Sequence, residues 1–358
     1  MTDNHPPVQS STTRPPVARK PVDDARLHAT VLRTGVLAGL TEYAAELGVP
    51  CDHWFTGLRL DRTQVCDPDV RVSYRQASQI LHRALATLPH ADLGLRMGCR
   101  QGVGNFGVVG LAVITAANFG EGMRIGVEYS RAIGTLMALD LESNGHGEVA
   151  MRARMNEPDP AIEPFCCEEL FASSLMLART MAGPDFAPLR IELAYPAPAY
   201  ASQYSEVFGC PAHFGATGNR LVIDEAWLAK PLSSHNTLTA RLALSLCREQ
   251  MPASDAGDET IAAVERLLRA RLRDNPGVAE IAAALHLTER TLRRHLLLAG
   301  SSFKAIHDRL RCERALELLR EHRLTIAQVG ASIGFRDARE FRRAFKRWTG
   351  EAPRNARG

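Results

Sequence analysis

The residues of this 358-residue chain best suited to specific chemistry are arginines set at helical spacing near the C-terminus. Arg290, Arg293 and Arg294 fall within ERTLRRHLLL, and Arg339, Glu340 and Arg343 fall within AREFRRAFKRWTG. A planar guanidinium can bond O6 and N7 of guanine together, and a carboxylate can accept from N4 of cytosine, so both sets suit the reading of base edges. Each has a plainer reading. The arginines could contact phosphate or face solvent, since about half of protein–DNA hydrogen bonds go to the backbone, and Glu340 could pair with Arg339 or Arg343. Charge is distributed to match. From Glu259 onward there are 21 Lys plus Arg against 12 Asp plus Glu, whereas residues 1 to 258 carry 22 against 28. A basic C-terminal part joined to an acidic body is the footprint of a nucleic-acid reader attached to something that does not touch phosphate.

Two helix-turn-helix patterns position these side chains. In the first, Ile281, Ala282 and Leu285 line one side of a short helix, Leu287 turns the chain, Thr288 caps a second helix, and Leu292 and Leu296 face inward. The second repeats the first after about fifty residues. Val329, Gly330 and Ile333 match Ile281, Ala282 and Leu285; Phe335 matches Leu287; and, after one extra residue, Phe341, Arg343 and Phe345 match Leu292, Arg294 and Leu296. Residues 303 to 323 between the patterns read as one connecting helix, with Ile306, Leu310, Ala315, Leu318 and Leu319 inward. Phe341, Phe345 and Trp348 share a face and are expected in the core. Because the major groove repeats about every 10 bp, two rigidly joined units can enter successive grooves.

The linking RLRCERALELL run, TIAQVGASIGF, RRAFKRWTG and Pro353 resemble the DNA-binding domain of the AraC/XylS family of bacterial transcription regulators. The resemblance implies an all-α C-terminal domain whose two helix-turn-helix subdomains each place one helix in the major groove of double-stranded promoter DNA. By position, Arg290, Arg293, Arg294, Arg339, Glu340 and Arg343 carry the contacts. The chain departs from the family pattern at Arg336, where a small polar residue is usual, and at Arg339 and Glu340, where Ser followed by Asn, His or Tyr is common.

Residues 1 to 26, rich in Pro, Ser and Thr, read as a disordered leader without the apolar core of a secretory signal. No apolar stretch suffices for a membrane span. Eight cysteines without a CxxC or paired histidines suggest a reduced, cytoplasmic chain without metal or cofactor; the vicinal Cys166 and Cys167 are expected to be buried thiols rather than a redox pair. From Leu27 to Gly48 one amphipathic helix is expected, then another capped by Ser73. Gly102, Gly104 and Gly107 spell GxGxxG, but the segment before them is helical and charged, so they read as a loop between helices rather than a dinucleotide site. Strands are expected near 136 to 142 and 148 to 155, with a turn at Asn144 and Gly145, and again over Leu189 to Tyr195. Ala212 to Phe214 and Arg220 to Ile223 read as a further hairpin, and helices at Glu163 to Met181 and Ser234 to Arg248 complete an α+β domain over residues 27 to 248. A polar linker, 249 to 258, precedes the domain at 259 to 358.

The segment from Leu189 to Leu232, through Tyr204, Phe208, Gly209, Cys210, Pro211, Leu221, Ile223, Leu228 and Pro231, is similar to the end of the arabinose-binding-type regulatory domain in ornithine-utilisation-regulator-like members of that family. This implies an effector-sensing, dimerising first domain, with a homodimer, an unidentified small-molecule effector and RNA polymerase as partners. The effector-binding residues are not legible: Tyr195, Tyr200, Tyr204, His213 and His235 read more simply as packed or surface side chains. Among other functions, an enzyme would leave the basic repeat without a role, and no GxSxG, HExxH or P-loop motif is present. A nonspecific nucleoid protein would share the charge but not the paired recognition helices.

Overall fold

The computed structural model describes residues 29–143, 145–250, 259–321 and 323–357; the expected leader, Asn144 and most of the linker lie outside them. The described chain opens with strand β1 (Thr30–Arg33) and only then enters helix α1 (Gly35–Glu46), which corrects the single helix expected from Leu27. β1 pairs antiparallel with β2 (Arg71–Ser73), with Arg33 opposite Arg71. Thr30 and Val31 are β-branched and favour an extended ribbon, and a partner forty residues away decides the matter. Helical spacing begins after Gly35, with Leu37, Leu40, Thr41 and Ala44 buried.

Ser73 ends β2 and caps α2 (Tyr74–Thr87) as expected: its Oγ accepts from Gln76 N and Gln76 Oε1 accepts from Ser73 N, both at 3.0 Å. Helices α3 (Leu93–Cys99), α4 (Gly107–Ile114) and α5 (Phe119–Glu128) follow. The glycine-rich passage is a short 3₁₀ turn, Val103–Phe106, between α3 and α4, without a strand leading into it.

A five-stranded sheet is built from β3 (Met137–Ser143) and β4 (Glu148–Met155), then, after α6 (Glu163–Ala182), from β5 (Arg190–Leu193), α7 (Ser202–Phe208) intervening, β6 (Ala212–Phe214) and β7 (Asn219–Asp224). The strand order is β3-β4-β7-β5-β6. The expected hairpin of β6 with β7 is not formed. Instead β5 lies between them, parallel to β6 and antiparallel to β7. Ile191 and Leu193 of β5 are fully buried, so that strand takes the interior, and the three-residue, half-exposed β6 suits an edge.

Glu168 on α6 ties this domain together. Its carboxylate, 1% exposed, accepts from Tyr200 Oη at 2.7 Å and from Tyr204 Oη, while Tyr195 and Tyr204 hydroxyls lie 3.2 Å apart. These tyrosines are therefore structural partners of a buried acid. Burial pushes the Glu168 carboxyl up to about 7, against the opposing pull of the tyrosine hydrogen bonds. Cys166 and Cys167 are buried on the same helix, where desolvation pushes both thiols well above their ordinary range.

Helix α8 (Thr237–Gln250) buries Ala243 and Cys247 and leaves Leu238, Leu242 and Leu246 exposed. Beyond it, α9 (Glu259–Ala270), α10 (Val278–Ala284), α11 (Glu289–Leu298), α12 (Phe303–Arg320), α13 (Ile326–Ser332) and α14 (Ala338–Thr349) surround a second, separate core. The two halves touch at the start of α9. Glu259, 4% exposed, accepts from Ser73 Oγ at 2.5 Å, Arg75 Nε at 2.9 Å and Arg75 Nη2. Beside it, Arg59 Nη1 donates to Thr260 Oγ1 at 2.8 Å, and Arg266 Nη2 donates to the Arg59 carbonyl at 2.7 Å. Arg59 adopts a left-handed backbone, φ 55°, at this contact.

Because the Glu168 carboxyl holds its proton more tightly when folded, its contribution to stability is complete below its unfolded value of 4.5 and is lost as pH rises toward about 7. The advantage of Glu168→Gln over the parent in thermal unfolding should therefore grow between pH 5 and 7.5, by on the order of 1–3 kcal/mol. A difference independent of pH would show that Glu168 does not titrate in this window.

Candidate nucleic-acid interface

The duplication read in the sequence is a duplication of hydrogen bonds. In the first unit α10 is capped by Gly277 with Glu280 reaching back to its N–H, and Leu287 N donates to Ala282 O at 2.8 Å. In the second, Thr325 and Gln328 form the capping box of α13, and Phe335 N donates to Gly330 O at 2.9 Å. The left-handed turn position is held by His286 in one and Gly334 in the other, with φ of 55° and 85°. Thr288 then caps α11 by accepting from Thr291 N, and Asp337 caps α14 by accepting from Arg339 N.

The inward residues compensate between the repeats. Leu292 and Leu296 are fully buried under α11, and Phe341 and Phe345 under α14, with Trp348 packed against the same core. The larger Phe341 is accommodated because Gly330 stands where the first unit has Ala282: a Cβ there would lie 3.0 Å from Phe341 Cβ and 3.1 Å from its ring.

α12 makes one body of the two units. Ile306, Leu310, Ala315, Leu318 and Leu319 are all buried in the common core, as their spacing predicts. From the same helix Arg311, 9% exposed, lies 4.6 Å over the Phe335 ring and donates to Gly334 O at 3.4 Å. Its neighbour His307 is pushed down to about 4 by burial and by Arg311, so it is neutral near pH 7 and adds no charge to the core. The turn after α9 closes the assembly, with Leu272 O only 2.7 Å from where a Gly334 Cβ would stand.

The outward faces carry the nominated residues. Arg290, Arg293 and Arg294 are exposed on α11, and Arg339, Glu340 and Arg343 on α14. Arg293 is engaged by Glu289, with Nε and Nη2 at 2.9 and 2.7 Å from Oε1. Among the described residues, Arg290, Arg294, Arg339 and Arg343 form no ion pair, and Glu340 pairs with neither Arg339 nor Arg343. α14 also exposes Arg342 and Lys346, four residues apart and adjoining Arg343. Their signal was the i, i+4 spacing on a face opposite Phe341 and Phe345. At the positions equivalent to Lys346 and Arg347, α11 carries Leu297 and Leu298, so the second helix presents the stronger positive field.

Residues 48–232 match the family described as the arabinose-binding domain of AraC transcription regulator, N-terminal, and residues 281–358 match a helix-turn-helix domain family. The chain belongs to the AraC family of transcription regulators. It is 32% identical to the ornithine utilization regulator of Pseudomonas aeruginosa over 89% of this chain and 94% of that protein. To the regulator VirS of Mycobacterium tuberculosis it is 23% identical over 92% of this chain and 96% of that one. Among solved structures, the transcriptional regulator CdpR from P. aeruginosa aligns with a TM-score of 0.46 and 22% identity over 90% of this chain and 98% of that chain. This AraC-type regulator thus joins an α+β N-terminal domain to an all-α helix-turn-helix domain.

Replacing Arg294 or Arg343 by Ala should weaken binding to the correct site by roughly 1–3 kcal/mol and relax base preference there, whereas Arg293→Ala, already paired to Glu289, should cost less. Binding titrations on specific and random duplexes decide it. Equal losses on both would reduce Arg294 and Arg343 to phosphate contacts.

Proposed function

We propose that this AraC-type regulator places α11 and α14 in successive major grooves of promoter DNA and responds to a small-molecule effector held by its N-terminal domain. The observation that carries the proposal is the pair of helix-turn-helix units on one core, each presenting unpaired arginines at equivalent positions, Arg290 with Arg339 and Arg294 with Arg343. A shared core fixes the separation of the two helices, and fixed separation is what a duplex of fixed pitch requires. In this reading Arg290, Arg294, Arg339, Glu340 and Arg343 face base edges and Arg293 faces phosphate. The protein acts on DNA in the cytoplasm as a regulator, not an enzyme, with RNA polymerase as a further partner, and divides at residues 249–258 into an effector-sensing part and a reading part.

The proposal includes a homodimer joined through α8. Leu238, Leu242 and Leu246 are spaced by four, lie on one face and are 69%, 59% and 44% exposed, while Ala243 and Cys247 on the opposite side are buried. A leucine stripe about a central Leu242 is self-complementary across a two-fold axis, and pairing it with its own copy removes apolar surface from water.

Selection of binding sites from random duplexes by the full-length protein, at fixed salt with excess competitor, tests the DNA reading. Two short motifs about one helical turn apart are expected; recovery of no motif, with affinity falling steeply in salt, would indicate a nonspecific binder. For the dimer, Leu242→Glu should halve the mass seen by analytical ultracentrifugation without unfolding the chain. An unchanged mass would place the dimer seam elsewhere.

A further inference from the structure

The feature left unused by the DNA-binding reading is a pair of like charges set face to face. The β1–β2 register puts Arg33 directly opposite Arg71. Like charges at opposed positions of an antiparallel pair repel. Neither forms an ion pair among the described residues, and Arg33 Nε and Arg71 Nη1 are both buried without a hydrogen-bond partner there. Asp69 is the carboxylate whose field favours both charges, yet it forms no ion pair with either among the described residues. Burial meanwhile penalises the charged form of each guanidinium. Two half-buried forks, each with one buried donor left without an acceptor, describe half of an anion contact.

We propose that Arg33 and Arg71 form a binding site for the carboxylate of a small-molecule effector, beside the joint between the regulatory and DNA-binding halves. The planar fork of arginine matches a carboxylate, and a single anion between the two would relieve their repulsion and satisfy the buried donors together. Position gives the site its regulatory meaning. Side chains alternate along β2, so Arg71 and Ser73 share one face while Val72 is buried on the other, and Ser73 is the residue that donates to Glu259 of α9. One strand step, roughly 7 Å, separates the anion site from that contact. Arg75, the next cation along, is already committed to Glu259. A carboxylate held by Arg71 therefore acts on the ribbon from which α9 hangs.

The inference rests on the reading of the N-terminal half as effector-sensing, and the test separates the two. Glutarate and benzoate, with glutaramide and benzamide as uncharged counterparts, are titrated into the full-length protein by calorimetry, and DNA binding is followed in the same samples. At least one acid should bind and its amide should not, and Arg33→Gln and Arg71→Gln should each weaken binding at least tenfold. Arg71→Gln should also unfold at a temperature equal to or above the parent's in chloride buffer, since it removes a like-charge contact; this keeps a misfolded variant from imitating loss of the site. Failure of both acids to bind, equal binding of acid and amide, or unchanged affinity in both variants would overturn the assignment. Sequence-selective DNA binding that survives any of these results leaves the regulator reading intact, and its absence from the parent protein would remove that reading whatever the acids do.

Discussion

The structure of the C-terminal domain depends on a single shared core. Two reading helices on one chain are useful only if their spacing matches the pitch of the duplex, and a flexible tether would leave that spacing to chance. Here α12 contributes Leu310, Ala315, Leu318 and Leu319 to the same apolar cluster that receives Leu292 and Leu296 from one unit and Phe341 and Phe345 from the other. Arg311 fixes the second turn from beneath by stacking on Phe335 and bonding the Gly334 carbonyl. The outward arginines can then remain unpaired at little cost, because the inward faces alone hold the fold.

Two buried carboxylates, one inside the apolar core of the N-terminal half and one at its joint with α9, join elements distant in the chain. Glu168 accepts from Tyr200 and Tyr204, the latter also bonded to Tyr195, and Glu259 draws Ser73 and Arg75 into one cluster. Such contacts contribute modestly when complete and cost much when broken, since removal of one partner strands the others away from water. They favour a defined relation between elements over a large gain in stability.

What the sequence reveals follows from the range of the deciding interaction. The caps at Ser73 and Thr288, the buried stripe of α12 and the matching faces of the two repeats are set by residues three or four apart, and all are legible. β1 was hidden because Thr30-Val31-Leu32 adjoins a true amphipathic helix and its partner Arg71–Ser73 is remote. A short polar turn makes β6 and β7 look like neighbours in the sequence; the greater burial of β5 puts that strand between them. The contact of Glu259 with Ser73 spans 186 residues, and neither residue type announces it. Of the nominated DNA-facing side chains, all six proved outward, but the ion pair that sets Arg293 apart needed Glu289 to be in reach.

Ser73 occupies an unusual place in this arrangement. Its hydroxyl accepts the Gln76 N–H in the first turn of α2 and at the same time donates to Glu259, so local helix formation and the docking of a distant domain use one oxygen. Genetic variation cannot separate these two tasks at that position: a residue that spoils the joint also uncaps the helix. Threonine is the replacement that keeps the hydroxyl both hydrogen bonds use, and drift in the strength of the joint over evolutionary time has to be carried by Arg75, Arg59 or Arg266, whose side chains have no second duty in capping.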